Sequence, residues 1–168
     1  MANENAIGGS DVGRHILNAC IQWARIKGYS YSTGFLMGLT VLAKEPASLD
    51  ELAQKTGYSK STVSLNMNLL ESTGLVKRIV IPGDKRHIYA PITDPKIIRT
   101  IMLNAINKEI QLFCRALDRT ENDLLAGGAE VRYLRERVAK LKHSCEQGKE
   151  IIDILREKTL NEMHDSPE

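Results

Sequence analysis

The sequence predicts a mainly α-helical protein carrying one small β-hairpin. Three observations lead there: a 3.6-residue apolar rhythm over most of the chain, a short β-rich interval around a proline–glycine turn, and a second half dominated by Leu, Ile, Lys, Arg and Glu. Aromatic residues make up only 5% of the 168 residues, which argues against an all-β fold, while 42% apolar and 26% charged residues are ordinary for a globular chain.

The elements follow in order. Residues 1–10 are small and polar and read as a disordered tail. A helix capped near Ser10 or Asp11 then places Ile16, Leu17, Cys20, Trp23 and Ala24 on one face and stops at Gly28; residues 11–30 are expected to contribute to dimerisation. A second helix starts at Ser32 or Thr33 and ends before Pro46, because proline disfavours helix in the residue preceding it. Ser48-Leu49-Asp50-Glu51 fits a capping box, and the short helix it opens ends at Gly57. Ser59 caps a third helix reaching about Ser72. Two short helices across a glycine turn make a helix-turn-helix. Residues 75–81 and 87–92 are β-rich around Pro82-Gly83-Asp84-Lys85, a hairpin that forms a wing behind it. Residues 31–93 therefore read as a winged helix-turn-helix domain.

Residues 94–168 read as a helical, coiled-coil-like dimerisation region. Asp94-Pro95 opens a long helix with Ile98, Ile101, Met102, Ala105, Ile106, Ile110, Phe113, Leu117 and Leu124 on one side, and Gly127-Gly128 breaks it. The last helix carries Val131, Leu134, Val138, Leu141, Cys145, Gly148, Ile152 and Leu155 at alternating threes and fours. Two such stripes with nothing left to cover them call for a partner surface, and a homodimer is expected.

Charge points to the partner. Net charge is only +2, yet between Leu52 and Thr93 six basic side chains face two acidic ones, whereas the chain beyond Pro95 is balanced at thirteen of each. A local basic excess on a helix-turn-helix fits double-stranded DNA. With Val63, Met67 and Leu70 turned to the core, the outward face of the third helix is Ser61, Leu65, Asn68 and Ser72, flanked by Thr62 and Ser64, with Ser59 and Lys60 at its start. Small hydroxyls and amides suit base edges and phosphates, and Leu65 suits a thymine methyl. Arg86 on the wing tip is placed to enter a minor groove with Asp84 holding its fork, Lys85 lies beside it, and Lys77 and Arg78 at the wing's base are candidate phosphate contacts.

The runs Ser59 to Val76, Pro82 to Tyr89 and Thr93 to Pro95 resemble the GbsR branch of the MarR-type regulators. The layout agrees over nearly the whole chain, with specific matches confined to Leu49–Pro95. The resemblance implies a winged-helix domain between helical dimerisation elements, operator binding as a homodimer, a recognition helix beginning at Ser59 and Arg86 as the wing arginine. Asn68 stands where relatives often carry a basic residue and Leu69 where they carry an acidic one. Some relatives answer to quaternary amines, for which Trp23, Tyr29, Tyr31 and Phe35 are candidate pocket residues for a small-molecule effector.

A winged helix used only for protein contacts would favour an acidic or broadly apolar face. No phosphate loop, nucleophile elbow or ligand cluster speaks for an enzyme, a metal or a cofactor. Cys20, Cys114 and Cys145 are odd in number and lack a C-x-x-C pair, which suits reduced thiols; a redox switch through one of them would need an exposed thiol of lowered pKa. The start lacks a signal-peptide layout and no apolar run reaches membrane length, so a cytoplasmic location is expected.

Overall fold

The computed structural model describes residues 11–83, 86–125 and 132–164; the expected tail, Asp84, Lys85 and the Gly127-Gly128 break lie outside them. The chain divides into two compact units, one up to Thr93 and one from Asp94 onward.

In the first unit, α1 (Asp11–Ile26) and α2 (Tyr31–Leu42) cross closely. Gly34 and Gly38 of α2 permit this. A Cβ on Gly34 would stand 2.6 Å from the Ile21 Cα and 2.7 Å from the Cys20 carbonyl oxygen, and one on Gly38 would stand 2.6 Å from Leu17 Cδ1. α2 begins one to two residues earlier than the sequence suggested, because Ser30 caps it by accepting from the Thr33 N–H.

α3 (Leu49–Thr56) carries the expected capping box. The Ser48 hydroxyl accepts from the Glu51 N–H, and Glu51 Oε2 accepts from the Ser48 N–H at 2.7 Å. Gly57 closes the helix at φ +72°, a conformation that costs a side-chain-bearing residue strain, and sends its N–H to the Ala53 carbonyl. The turn leads into α4 (Lys60–Ser72), capped by Ser59.

The Glu51 carboxyl is held below the usual range, first by the Ser48 backbone N–H and then by the Ser48 hydroxyl. A lowered folded-state value means that the ionised carboxylate stabilises the fold at neutral pH and that this contribution is lost as pH falls through the folded value. Ser48→Ala is accordingly expected to cost about 1 kcal/mol at neutral pH. The gap in melting midpoint between wild type and Glu51→Ala should narrow as pH drops below about 4; a gap independent of pH would contradict the capping role.

The wing is β2 (Val76–Ile79) against β3 (Ile88–Pro91), paired antiparallel with Val76 opposite Pro91 and Ile79 opposite Ile88. A third strand, β1 (Ala47–Ser48), joins the free edge of β3, so the order is β1-β3-β2. Sequence reading gave a two-stranded hairpin; it missed β1 because a two-residue strand leaves no alternation. Both predicted strands are also shorter, and Val80 and Ile81 stand exposed beyond the last rung. The core between helices and sheet is built on Phe35, Leu36, Leu52, Val63, Met67 and Tyr89.

The second unit is an antiparallel hairpin of α5 (Pro95–Leu125) and α6 (Arg132–His164). Lys142 reaches Glu121 at 2.6 Å and Asp118 at 2.9 Å, which raises its pKa, Glu121 acting most. The Arg135 guanidinium donates to the Leu124 carbonyl at 2.6 Å, a cation closing the end of α5. Val138, Ile152 and Thr159 are buried in the hairpin seam with Leu124, whereas Met102, Phe113, Leu141 and Leu155 remain exposed. Each predicted stripe is thus split in two: part packs on the neighbouring helix of the same chain, and part faces outward.

Candidate nucleic-acid interface

Helix α4 is oriented by its apolar side. Val63, Met67 and Leu70 are fully buried, which turns Ser61, Leu65, Asn68 and Ser72 outward, as their spacing predicts. Leu65 is 73% exposed, an apolar side chain in a row of small polar ones.

At its N-terminus the Ser59 hydroxyl is occupied with capping: it accepts from the Thr62 N–H and lies 2.8 Å from both the Ser61 and Thr62 hydroxyls. Lys60 forms an exposed ion pair with Asp50 of α3 at 2.7 Å, which links the two helices weakly and leaves the ammonium in solvent. Ser64 is half-buried beside this row. Ser72 bonds back to the Leu69 carbonyl.

A buried amide fixes the middle of the helix. Asn66 Oδ1 accepts from the Thr33 hydroxyl at 2.6 Å and, at longer range, from Ser30 and Ser32, while its Nδ2 donates to the Thr62 carbonyl. The network joins α4 to the cap of α2. Sequence reading passed over Asn66; its position three residues after Val63, on the apolar side, was the signal that its amide had to find partners in the interior.

The C-terminal half is tied to the wing. Arg78 of β2 donates to Glu71 at 2.6 Å and to Asn68 at 3.0 Å, and its guanidinium lies 5.6 Å from the centre of the Tyr89 ring. Two side chains assigned to DNA from sequence are therefore bonded to each other. The hydrogen bond to Glu71 chiefly raises the Arg78 pKa and holds the charge in place. Lys77, next to it, is exposed.

Arg86 is exposed at the near end of β3 and, with His87, lines a pocket of about 220 Å³ against Ser48, Leu49 and Asp50 at the start of α3. Asp84 and Lys85 lie outside the described residues.

The aromatic candidates fall into packing pairs. Trp23 meets Tyr29 with ring centres 5.7 Å apart; Tyr31 stacks on Phe35 at 5.9 Å, and Phe35, fully buried, meets Tyr58 edge-on. Phe35 is thus part of the core rather than open to a ligand. The larger groove described in this unit, between the end of α2 and α3, is lined by Leu39, Leu42, Pro46, Gln54 and their neighbours and by none of these four.

Residues 39–87, from the end of α2 to the base of β3, match the sequence model of the MarR family. Over that segment the helix-turn-helix is similar to the MarR family. The likeness in fold extends beyond that segment: a crystal structure of a transcriptional regulator superimposes with a TM-score of 0.62 at 18% identity, over 89% of this chain and 99% of its own. A mutant of the S. aureus MepR is similar more loosely, with a TM-score of 0.39 at 17% identity, over 79% of this chain and 91% of that one. No curated protein matches the chain. Among the described residues, no helix is long and apolar enough to cross a membrane.

Proposed function

We propose that the chain is a DNA-binding transcription regulator that works as a homodimer on a near-palindromic operator, with α4 in the major groove and the wing at the minor groove. The observation that carries this reading is the outward face of α4, where an exposed leucine sits among hydroxyls and an amide on a MarR-type winged helix. The apolar side chains left outside the α5–α6 seam, Met102, Phe113, Leu141 and Leu155 among them, offer a surface for a second copy. The wing sequence supports the GbsR branch within that type.

Selection of bound fragments from genomic DNA, followed by titration of the full chain against them across salt, tests the proposal. Affinity should fall roughly 10³-fold between about 50 and 200 mM salt, since a dimer touching several phosphates releases a counterion at each. Protected half-sites should lie about one helical turn apart. Absence of binding at low salt overturns the DNA reading. A monomer at micromolar concentration by light scattering overturns the dimer.

A further inference from the structure

The hairpin of the second unit brings together two thiols that are distant in sequence. Its register is fixed by contacts along its length: Lys96 with the Glu162 carbonyl, Ile110 against Gly148, Asp118 with Lys142, and Leu124 with Arg135. Each step forward on α5 is a step back on α6. Cys114, one turn beyond Ile110, therefore faces Cys145, just short of one turn before Gly148. Both are half-buried free thiols.

We propose that Cys114 and Cys145 form a dithiol site that a small-molecule disulfide of the oxidised-glutathione class converts into an intrachain disulfide joining α5 to α6. One thiol loses its proton and attacks a sulfur of the oxidant; the S–S bond breaks, and the departing glutathione thiolate takes up a proton. The second protein thiol then attacks the protein sulfur of the mixed disulfide and releases the second glutathione. Two protein thiols give up two electrons, and one glutathione disulfide becomes two thiols.

Burial first, and then the neighbouring Cys145 side chain, hold the Cys114 thiol above the usual thiol range. Cys114 is thus a protonated thiol at neutral pH and not an activated thiolate, so exchange is slow and its outcome rests on the proximity of Cys145. Cys20, buried between α1 and α2, is expected to remain outside the reaction.

Incubating the full-length protein with oxidised glutathione, alkylating the remaining thiols and mapping peptides by mass spectrometry tests the assignment. Expected is a linked pair of peptides containing Cys114 and Cys145, with Cys20 alkylated and the link lost on reduction. The melting midpoint should rise by roughly 5 °C or more, because closing the loop restricts the unfolded chain. Cys145→Ser should remove both the link and the shift, and Cys20→Ser should leave both intact. Three alkylated thiols after oxidation, unresolved glutathione adducts on both cysteines, or links only between chains would overturn the proposal; the wild-type map alone is sufficient to decide.

Discussion

Leu65→Glu is expected to lower operator affinity by about 100-fold or more while leaving the melting midpoint almost unchanged. The side chain is 73% exposed, so exchanging it removes little packing. If α4 lies in the major groove, however, the new carboxylate is carried between two rows of phosphates and displaces an apolar contact. The lost apolar contact and the charge repulsion act in the same direction. Leu65→Ala, which removes the contact without adding charge, should lose less. Fluorescence anisotropy on the selected operator checks both. Undiminished binding by the glutamate variant, with a normal melting curve, would place the DNA elsewhere than on this face.

Gly34→Ala should have the largest effect on stability of any single-methyl addition in the first unit. On propensity alone the change is favourable, since alanine in a helix interior gains about 1 kcal/mol over glycine. The new methyl, though, would meet the Ile21 Cα at 2.6 Å and the Cys20 carbonyl at 2.7 Å, and these are backbone atoms of a packed helix. They move only if α1 moves. Overpacking of this kind costs about 3 kcal/mol, so the net loss is about 2 kcal/mol, or about 5 °C in a chain of this length. At Gly38 the nearest atom is Leu17 Cδ1, the tip of a flexible side chain, so Gly38→Ala should cost less. Thermal melts with the reverse order would contradict the close crossing of α1 and α2.

Local rules made much of the fold readable. Ser48 to Glu51, Gly57 and Ser59 specify a cap, a stop and a second cap within twelve residues, and each acts through backbone groups that the sequence itself positions. The outward face of α4 followed from the phase of Val63, Met67 and Leu70. What could not be read was decided at a distance. β1 exists because β3 offers it an edge. Arg78 and Asn68 looked like free DNA contacts because neither the ion pair with Glu71 nor the Tyr89 ring is local to them. On α5, Ile101 and Met102 are neighbours in one apolar stripe, yet the first is half-buried and the second 59% exposed; only the placement of α6 divides them.

The three attachments of α4 have a mechanical meaning. Asp50 pairs with its first residue, the hydroxyls of Ser30, Ser32 and Thr33 grip it at mid-length, and Arg78 clasps its far end. The first of these is a weak, exposed ion pair, so the buried amide network and the Arg78 clasp are what resist a roll of the helix about its axis. The azimuth of Ser61, Leu65 and Asn68 is thus set in the free protein, and little orientational freedom is left to be lost on docking.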